Sequence, residues 1–162
     1  MIRKATTSDI PRIAEILVFT KRTAYRDIFK DDKGTFNELQ VISTADELTE
    51  PGALEGVSVY DDGIVKGMMN TAFDEKAATA ELKELYTDSF FAGRGVGSAL
   101  MRNFLEEARQ RGIRTITLWV LKENAKAIAF YEKFGFSPKG TERFAQGTKV
   151  SEVEYFLNIP LG

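Results

Sequence analysis

Thr79-Ala80-Glu81-Leu82-Lys83-Glu84-Leu85-Tyr86-Thr87 leads, after a short spacer, into Phe91-Ala92-Gly93-Arg94-Gly95-Val96-Gly97-Ser98. The first segment reads as a strand. Beyond the second, Leu100, Met101, Phe104, Leu105 and Ala108 recur on one helical face. Three alternating glycines therefore sit between a strand and a helix. Without Cβ atoms, such a backbone adopts unusual dihedrals and comes close to a ligand. The first N–H groups of a helix have no internal partner, and its dipole is positive at that end. Together they suit a phosphate or pyrophosphate, and Arg94 adds charge. A Gly-x-Gly pair alone serves equally well as a flexible cap. The position where a dinucleotide fingerprint needs its third glycine holds Ser98, and the Gly-Lys-Ser/Thr of a Walker loop is missing. The phosphate reading survives, and those two ligand classes fall away.

Working outward, Ile2 to Ala5 reads as a short strand. Thr7-Ser8-Asp9 offers a helix N-cap with Pro11 in the first turn, and Ile10, Ile13, Ala14 and Leu17 keep helical spacing. Residues 20 to 50 are polar and irregular, with a second helix expected over Thr35 to Gln40. Gly56 to Tyr60 and Ile64 to Ala72 flank Asp61-Asp62-Gly63, a hairpin signal. Downstream, Gly112 caps the helix that follows the glycine turn, and Thr115 to Leu121 is a β-branched strand. Asn124 opens a helix that Gly135 closes, and Phe136 to Phe144 and Val150 to Ile159 form a last pair of strands. The predicted order is β-α-α-β-β-β-α-β-α-β-β. Hairpins mixed with helical crossovers imply an α/β (α+β) fold with a mixed, mostly antiparallel sheet of about seven strands and helices on both faces. No linker interrupts residues 1–162, so a single domain is expected.

Composition narrows the chemistry. The chain has 162 residues, 43% apolar and 28% charged, which is ordinary for a globular domain. Its 22 basic and 24 acidic residues give a formal charge of −2, against a dedicated nucleic-acid binder. Cysteine and histidine are both absent. Disulfides, Cys-His or Ser-His relays and the usual zinc sites are thereby excluded, and no metal is expected. Acid–base chemistry must come from Asp, Glu, Lys, Tyr or the backbone. The opening residues lack the pattern of a secretory leader, and no stretch approaches the ~18–20 apolar residues that cross a bilayer. A cytoplasmic protein without membrane partners is expected.

A second constellation lies in Leu118-Trp119-Val120 and Asn124-Ala125-Lys126-Ala127-Ile128-Ala129-Phe130-Tyr131-Glu132-Lys133-Phe134-Gly135-Phe136. Asn124 and Tyr131 are about two helical turns apart and share a face. Each has a plain structural use, Asn124 as an N-cap and Tyr131 as core.

Taken together, Leu85-Tyr86-Thr87, Gly93-Arg94-Gly95-Val96-Gly97-Ser98-Ala99-Leu100, Leu118-Trp119-Val120, Asn124, Ala127, Phe130-Tyr131 and Gly135-Phe136 resemble the GNAT superfamily of N-acetyltransferases. The opening Ile2-Arg3-Lys4-Ala5-Thr6 is similar to the family's first strand. The resemblance is specific over residues 79–137 and weak over 20–50.

The resemblance implies a sheet splayed open between the strand ending at Thr87 and the one ending near Leu121, with acetyl-CoA in the splay. Backbone groups of Leu85, Tyr86 and Thr87 would pair with the pantetheine arm. The backbone of Gly93, Arg94, Gly95, Val96, Gly97 and Ser98 would hold the pyrophosphate, and Asn124 would bond the cofactor arm. Tyr131 would lie at the thioester sulfur as general acid, and Glu81, or else Glu84, would be the base. A glutamate on an amphipathic strand ordinarily faces water, which is the competing reading for both. One departure is Ala92, where the family carries Gln or Arg. The acceptor would be an amine on a small molecule or a peptide, entering near Tyr25, Phe29, Trp119 and Phe144. Exposed edge strands in such folds are compatible with a homodimer. A non-catalytic acetyl-CoA sensor of the same fold is the alternative.

Overall fold

Alternating apolar residues on the second and third strands organise the first half of the fold. The computed structural model describes residues 1–160. Its strands and helices are β1 (Ile2–Lys4), α1 (Ile10–Phe29), α2 (Val41–Thr49), β2 (Val57–Asp61), β3 (Val65–Asp74), β4 (Thr79–Thr87), α3 (Val96–Gln110), β5 (Thr115–Leu121), α4 (Ala125–Lys133), β6 (Ser137–Phe144) and β7 (Ser151–Asn158). The seven strands are ordered β1-β2-β3-β4-β5-β7-β6. β1 with β2, β2 with β3, β5 with β7 and β6 with β7 pair antiparallel, and β4 with β5 pairs parallel, so the sheet is mixed as expected. The chain folds into two compact units, residues 1–71 with 84–105 and residues 72–83 with 106–162.

In the first unit, β1 pairs with β2 from Ile2 opposite Tyr60 to Lys4 opposite Ser58, and β2 pairs with β3 from Val57 opposite Asn70. The register shifts at Tyr60/Asp61, beside the hairpin whose Gly63 has φ +103°. Val59 lies opposite Met68. Both join Val57 and the α1 residues Ile13, Ile16 and Leu17 in one buried cluster. Successive residues of a strand face opposite ways. Gly67 accordingly meets the other side, where an added Cβ would lie 2.7 Å from Val96 Cγ1 and 3.3 Å from Leu100 Cδ1 of α3. Helices α1 and α3 thus cover opposite faces of β3.

The N-terminus of α1 is tied by Asp9, whose Oδ2 accepts from the Thr6 N–H at 2.8 Å and its hydroxyl at 3.0 Å. Arg3 donates to both oxygens of Asp9 at 2.8 and 2.9 Å and to Asp61 at 2.8 Å, joining β1, α1 and the hairpin. These bonds hold the Asp9 carboxyl well below the usual carboxylate range, against the opposing effect of burial.

Two expectations for residues 20–50 are corrected. Helix α1 continues to Phe29. Good helix formers such as Lys21, Arg22, Ala24 and Arg26 carry it, and Tyr25 and Phe29, one turn apart, bring their rings to 6.0 Å. It stops where Lys30 turns left-handed at φ 52° and returns its N–H to Arg26 O. The second helix is not over Thr35 to Gln40. Gly34–Glu38 form one wide turn closed by Leu39 N–H to Gly34 O at 3.0 Å. Gln40 is extended, and α2 begins at Val41.

The second unit is built on β5. Thr79 to Leu82 of β4 run parallel to Thr115 to Leu118. β5 pairs antiparallel with β7 along its whole length, from Thr115 opposite Asn158 to Leu121 opposite Glu152. β7 also carries the exposed strand β6. The paired stretch of β4 with β5 thus ends at Leu82 and Leu118, before either strand ends. No helix among the described residues is long and apolar enough to cross a membrane.

Candidate active site

The C-terminal end of β4 delivers the chain into the glycine turn, and one buried carboxylate fixes that delivery. Asp88 is 8% exposed and caps a short 3-10 turn (Ser89–Phe91) by accepting from Phe90 N–H at 2.8 Å. Its own N–H donates to Lys66 O of β3 at 2.9 Å. Arg12 of α1 donates to the Asp88 carboxylate at 2.5 Å, to Val65 O at 3.1 Å and to Glu15 at 2.5 Å. Burial works against the charge on Arg12, but its bonds to Asp88 and Glu15 outweigh it and raise its pKa. A helix, a strand and the turn are thereby pinned at one point. Sequence patterning singles out neither Asp88 nor Arg12.

Within the turn, Gly93 has φ +75° and Gly95 φ +84°, and a Cβ at either would meet nothing within 4 Å. These left-handed residues are the physical reason for glycine here. The surrounding space is open. The first helical bond runs from Ala99 N–H to Gly95 O at 2.9 Å. The N–H groups of Val96, Gly97 and Ser98 therefore precede the hydrogen-bonded ladder of α3, at its positive end. Ala92 ends the 3-10 turn in an extended conformation and offers only a methyl.

Glu84, Leu85, Tyr86 and Thr87 share this unit with the turn. All four are half-buried. Thr20 of α1 donates to Thr87 O at 3.3 Å. The Tyr25 and Tyr86 hydroxyls are 3.0 Å apart, with Phe29 edge-on to Tyr25. Lys21 Nζ lies 3.7 Å from Glu84 and 5.8 Å from the centre of the Tyr86 ring. Lys21 was missed by sequence reasoning because residues 20–29 carry no strong periodic signal. Glu84 thus has a cationic neighbour on α1.

The other candidates lie in the second unit. Glu81 is half-buried on β4 opposite Thr117 and makes no ion pair among the described residues. Asn124 does cap α4, its side-chain oxygen accepting from Ala127 N–H at 3.2 Å. That bond uses the oxygen and leaves the amide's two donors for other partners. Tyr131 is half-buried on α4, between Phe130 at 5.5 Å and Phe136 at 6.1 Å, ring centre to ring centre. Its carbonyl accepts from Phe134 and Phe136 N–H at the closing Gly135 turn. Tyr155 of β7 donates to Glu132 at 3.2 Å, anchoring α4 one residue away. Trp119 is covered by Arg143 at 3.9 Å, and Phe144 is 65% exposed.

Residues 20–136 match the acetyltransferase (GNAT) family model. An uncharacterized N-acetyltransferase of Methanocaldococcus jannaschii is 46% identical over 65 residues, 40% of this chain and 29% of that protein. A mycothiol acetyltransferase of Beutenbergia cavernae is 41% identical over 83 residues, 49% of this chain and 27% of that protein. The match thus spans less than a third of either relative. Among solved structures, the PaiA N-acetyltransferase of Thermoplasma acidophilum in complex with coenzyme A is similar with a TM-score of 0.75 over 98% of both chains, at 18% identity. The ribosomal-protein-alanine N-acetyltransferase of Brucella melitensis gives 0.70 over 98% of this chain and 99% of that one, at 25% identity. The structural likeness establishes the fold, and the family match extends over most of the sequence. This chain belongs to the GNAT family of acetyltransferases.

Proposed function

We propose that this protein binds acetyl-CoA and transfers its acetyl group to a primary amine by direct attack in a ternary complex. The observation that carries the reading is the pair of left-handed glycines, Gly93 and Gly95, in open space before the start of α3. A diphosphate needs close approach to backbone N–H groups, and a Cβ on this turn would narrow it. Leu85 to Thr87, at the end of β4 and past its paired stretch with β5, offer backbone groups for the pantetheine amides. The donors of the Asn124 amide serve the same arm.

Acetyl-CoA supplies a thioester whose carbonyl accepts the amine and whose sulfur leaves as thiolate. The residues of the chain manage protons and charge around it. An alkyl amine has a pKa near ~10.4, so about one molecule in a few thousand is neutral at pH 7. Glu81 is the better base, because Glu84 is engaged by Lys21 and Glu81 has no such cation among the described residues. A backbone N–H near Leu85 stabilises charge developing on the carbonyl oxygen, a contact worth ~2.7–4 kcal/mol where measured. Tyr131 gives its proton to the leaving sulfur. Without cysteine, no acetyl-cysteine route exists.

Binding is tested by the melting temperature under acetyl-CoA. Ligand at ~100-fold its Kd stabilises by ~2.7 kcal/mol, a shift of roughly 5–10 °C for a domain of this size. A Gly95→Val variant should lose that shift. A native melting temperature unmoved by millimolar acetyl-CoA contradicts the proposal.

A further inference from the structure

Beside the glycine turn lies an open cleft of about 230 Å³ lined by Tyr60, Asp62, Lys66, Phe91, Arg94 and Val96. Two cations share one aromatic ring there, with Lys66 Nζ 4.8 Å and the Arg94 guanidinium carbon 5.8 Å from the centre of Phe91. Such contacts place a cation without neutralising it. Lys66 is only 20% exposed and bonds Asp62 at 2.6 Å. An ammonium has three donors, so two are left for other partners. Arg94 has no carboxylate partner among the described residues. The cleft therefore holds two positive charges against one negative, at the entrance to a helix N-terminus that is itself partly positive. The proposed use of the turn accounts for the backbone but not for this lysine on a neighbouring strand. Ala92 contributes no charge, so positive charge beside the turn comes from Arg94 and Lys66.

We infer that Lys66 and Arg94, set on Phe91, form a phosphate-monoester subsite that reads the ribose 3′-phosphate of coenzyme A. This rests on the acetyl-CoA reading and adds to it a determinant of cofactor choice. A phosphate monoester carries close to two negative charges at neutral pH, whereas each diphosphate oxygen group carries about one. Two convergent cations match the monoester. The Arg94 guanidinium can engage two of its oxygens, and Lys66 acts as a point charge held in register by Asp62. The positions of the two cations are set from different directions. Lys66 is fixed by β3, whose carbonyl at the same residue receives the Asp88 N–H, and Arg94 by the turn itself.

The test compares coenzyme A with dephospho-coenzyme A, which lacks only that phosphate, by isothermal titration calorimetry. The native protein should prefer coenzyme A by about tenfold or more. Lys66→Gln should bring the two affinities to within about threefold of each other, chiefly by weakening coenzyme A. Lys66→Arg should retain most of the preference. Melting temperatures of the variants without ligand check that the fold persists. Equal binding of both compounds by the native protein overturns the subsite while leaving the acetyl-CoA reading intact. Equal weakening of both by Lys66→Gln also overturns it, since the lysine would then serve the diphosphate or the turn. Binding of neither compound by the native protein overturns both readings.

Discussion

Tyr131 and Asn124 each make a structural contact at a residue for which a chemical role is proposed. The cap bond of Asn124 confirms the plain structural reading, yet it uses only the oxygen of the amide. Tyr131 packs between two phenylalanines, as an ordinary core residue would, but stays half-buried. Removing its hydroxyl separates the roles. Tyr131→Phe should lower turnover by ~10²–10⁴-fold with acetyl-CoA binding nearly unchanged, read from steady-state kinetics and calorimetry. Turnover within a few-fold of native would remove Tyr131 from the acid role. These residues were legible because each stands at a position tied to a helix end or face. Lys21, Lys66 and Arg12 were not, since a lone basic residue on the polar face of a helix or on a strand carries no positional signal. Their roles arise only when β3, β4 and α1 come together.

Asp9 makes a prediction about pH at the same scale. Bonds from Arg3 and Thr6 hold its folded pKa below the unfolded value of ~3.9. A carboxyl depressed on folding contributes stability above its unfolded pKa and loses it as pH falls towards the folded one. Asp9→Asn should therefore be less stable than native at pH 7, and the gap should close as pH drops below ~4. Urea denaturation at pH 7 and pH 3 checks this. A gap of equal size at both values would contradict the assigned linkage.

At the scale of elements, the legible segments were those with sharp ends. β4 and β5 begin and end where alternation and β-branching place them, bounded by Asp88 and by the Gly112 turn. α1 was cut short and α2 displaced because their C- and N-terminal signals are weak. Lys30 adopts a left-handed conformation without being glycine, and Gln40 caps α2 without a side-chain bond. Gly67 illustrates a constraint that depends wholly on packing. Its Cβ would lie 2.7 Å from Val96, 3.0 Å from Tyr86 O and 3.3 Å from Leu100. The carbonyl cannot yield as a side chain can. Gly67→Ala should therefore destabilise by about 1–3 kcal/mol by pushing the first turn of α3 away from β3. Chemical denaturation measures the cost, and a neutral result would contradict the packing constraint assigned to Gly67.

For the whole molecule, the order of strands and helices was readable because hairpin and crossover signals alternate along the chain. The division into two units was not, since it cuts through β4 and α3 rather than through a linker. The glycine turn and Glu84 belong to one unit, and Glu81, Asn124 and Tyr131 to the other. No local motif reports that partition, because it is a property of tertiary contacts alone. Family membership and fold are thus established, and acyl transfer from acetyl-CoA is the central prediction. The most direct measurement is thiol release from acetyl-CoA, followed with the purified protein across amines, polyamines, amino acids and peptides, with mass spectrometry of the products. Amine-dependent thiol release, with a mass gain of one acetyl group on the acceptor nitrogen, is expected for at least one class. Tight acetyl-CoA binding without transfer to any amine in the panel would contradict it and favour a cofactor sensor.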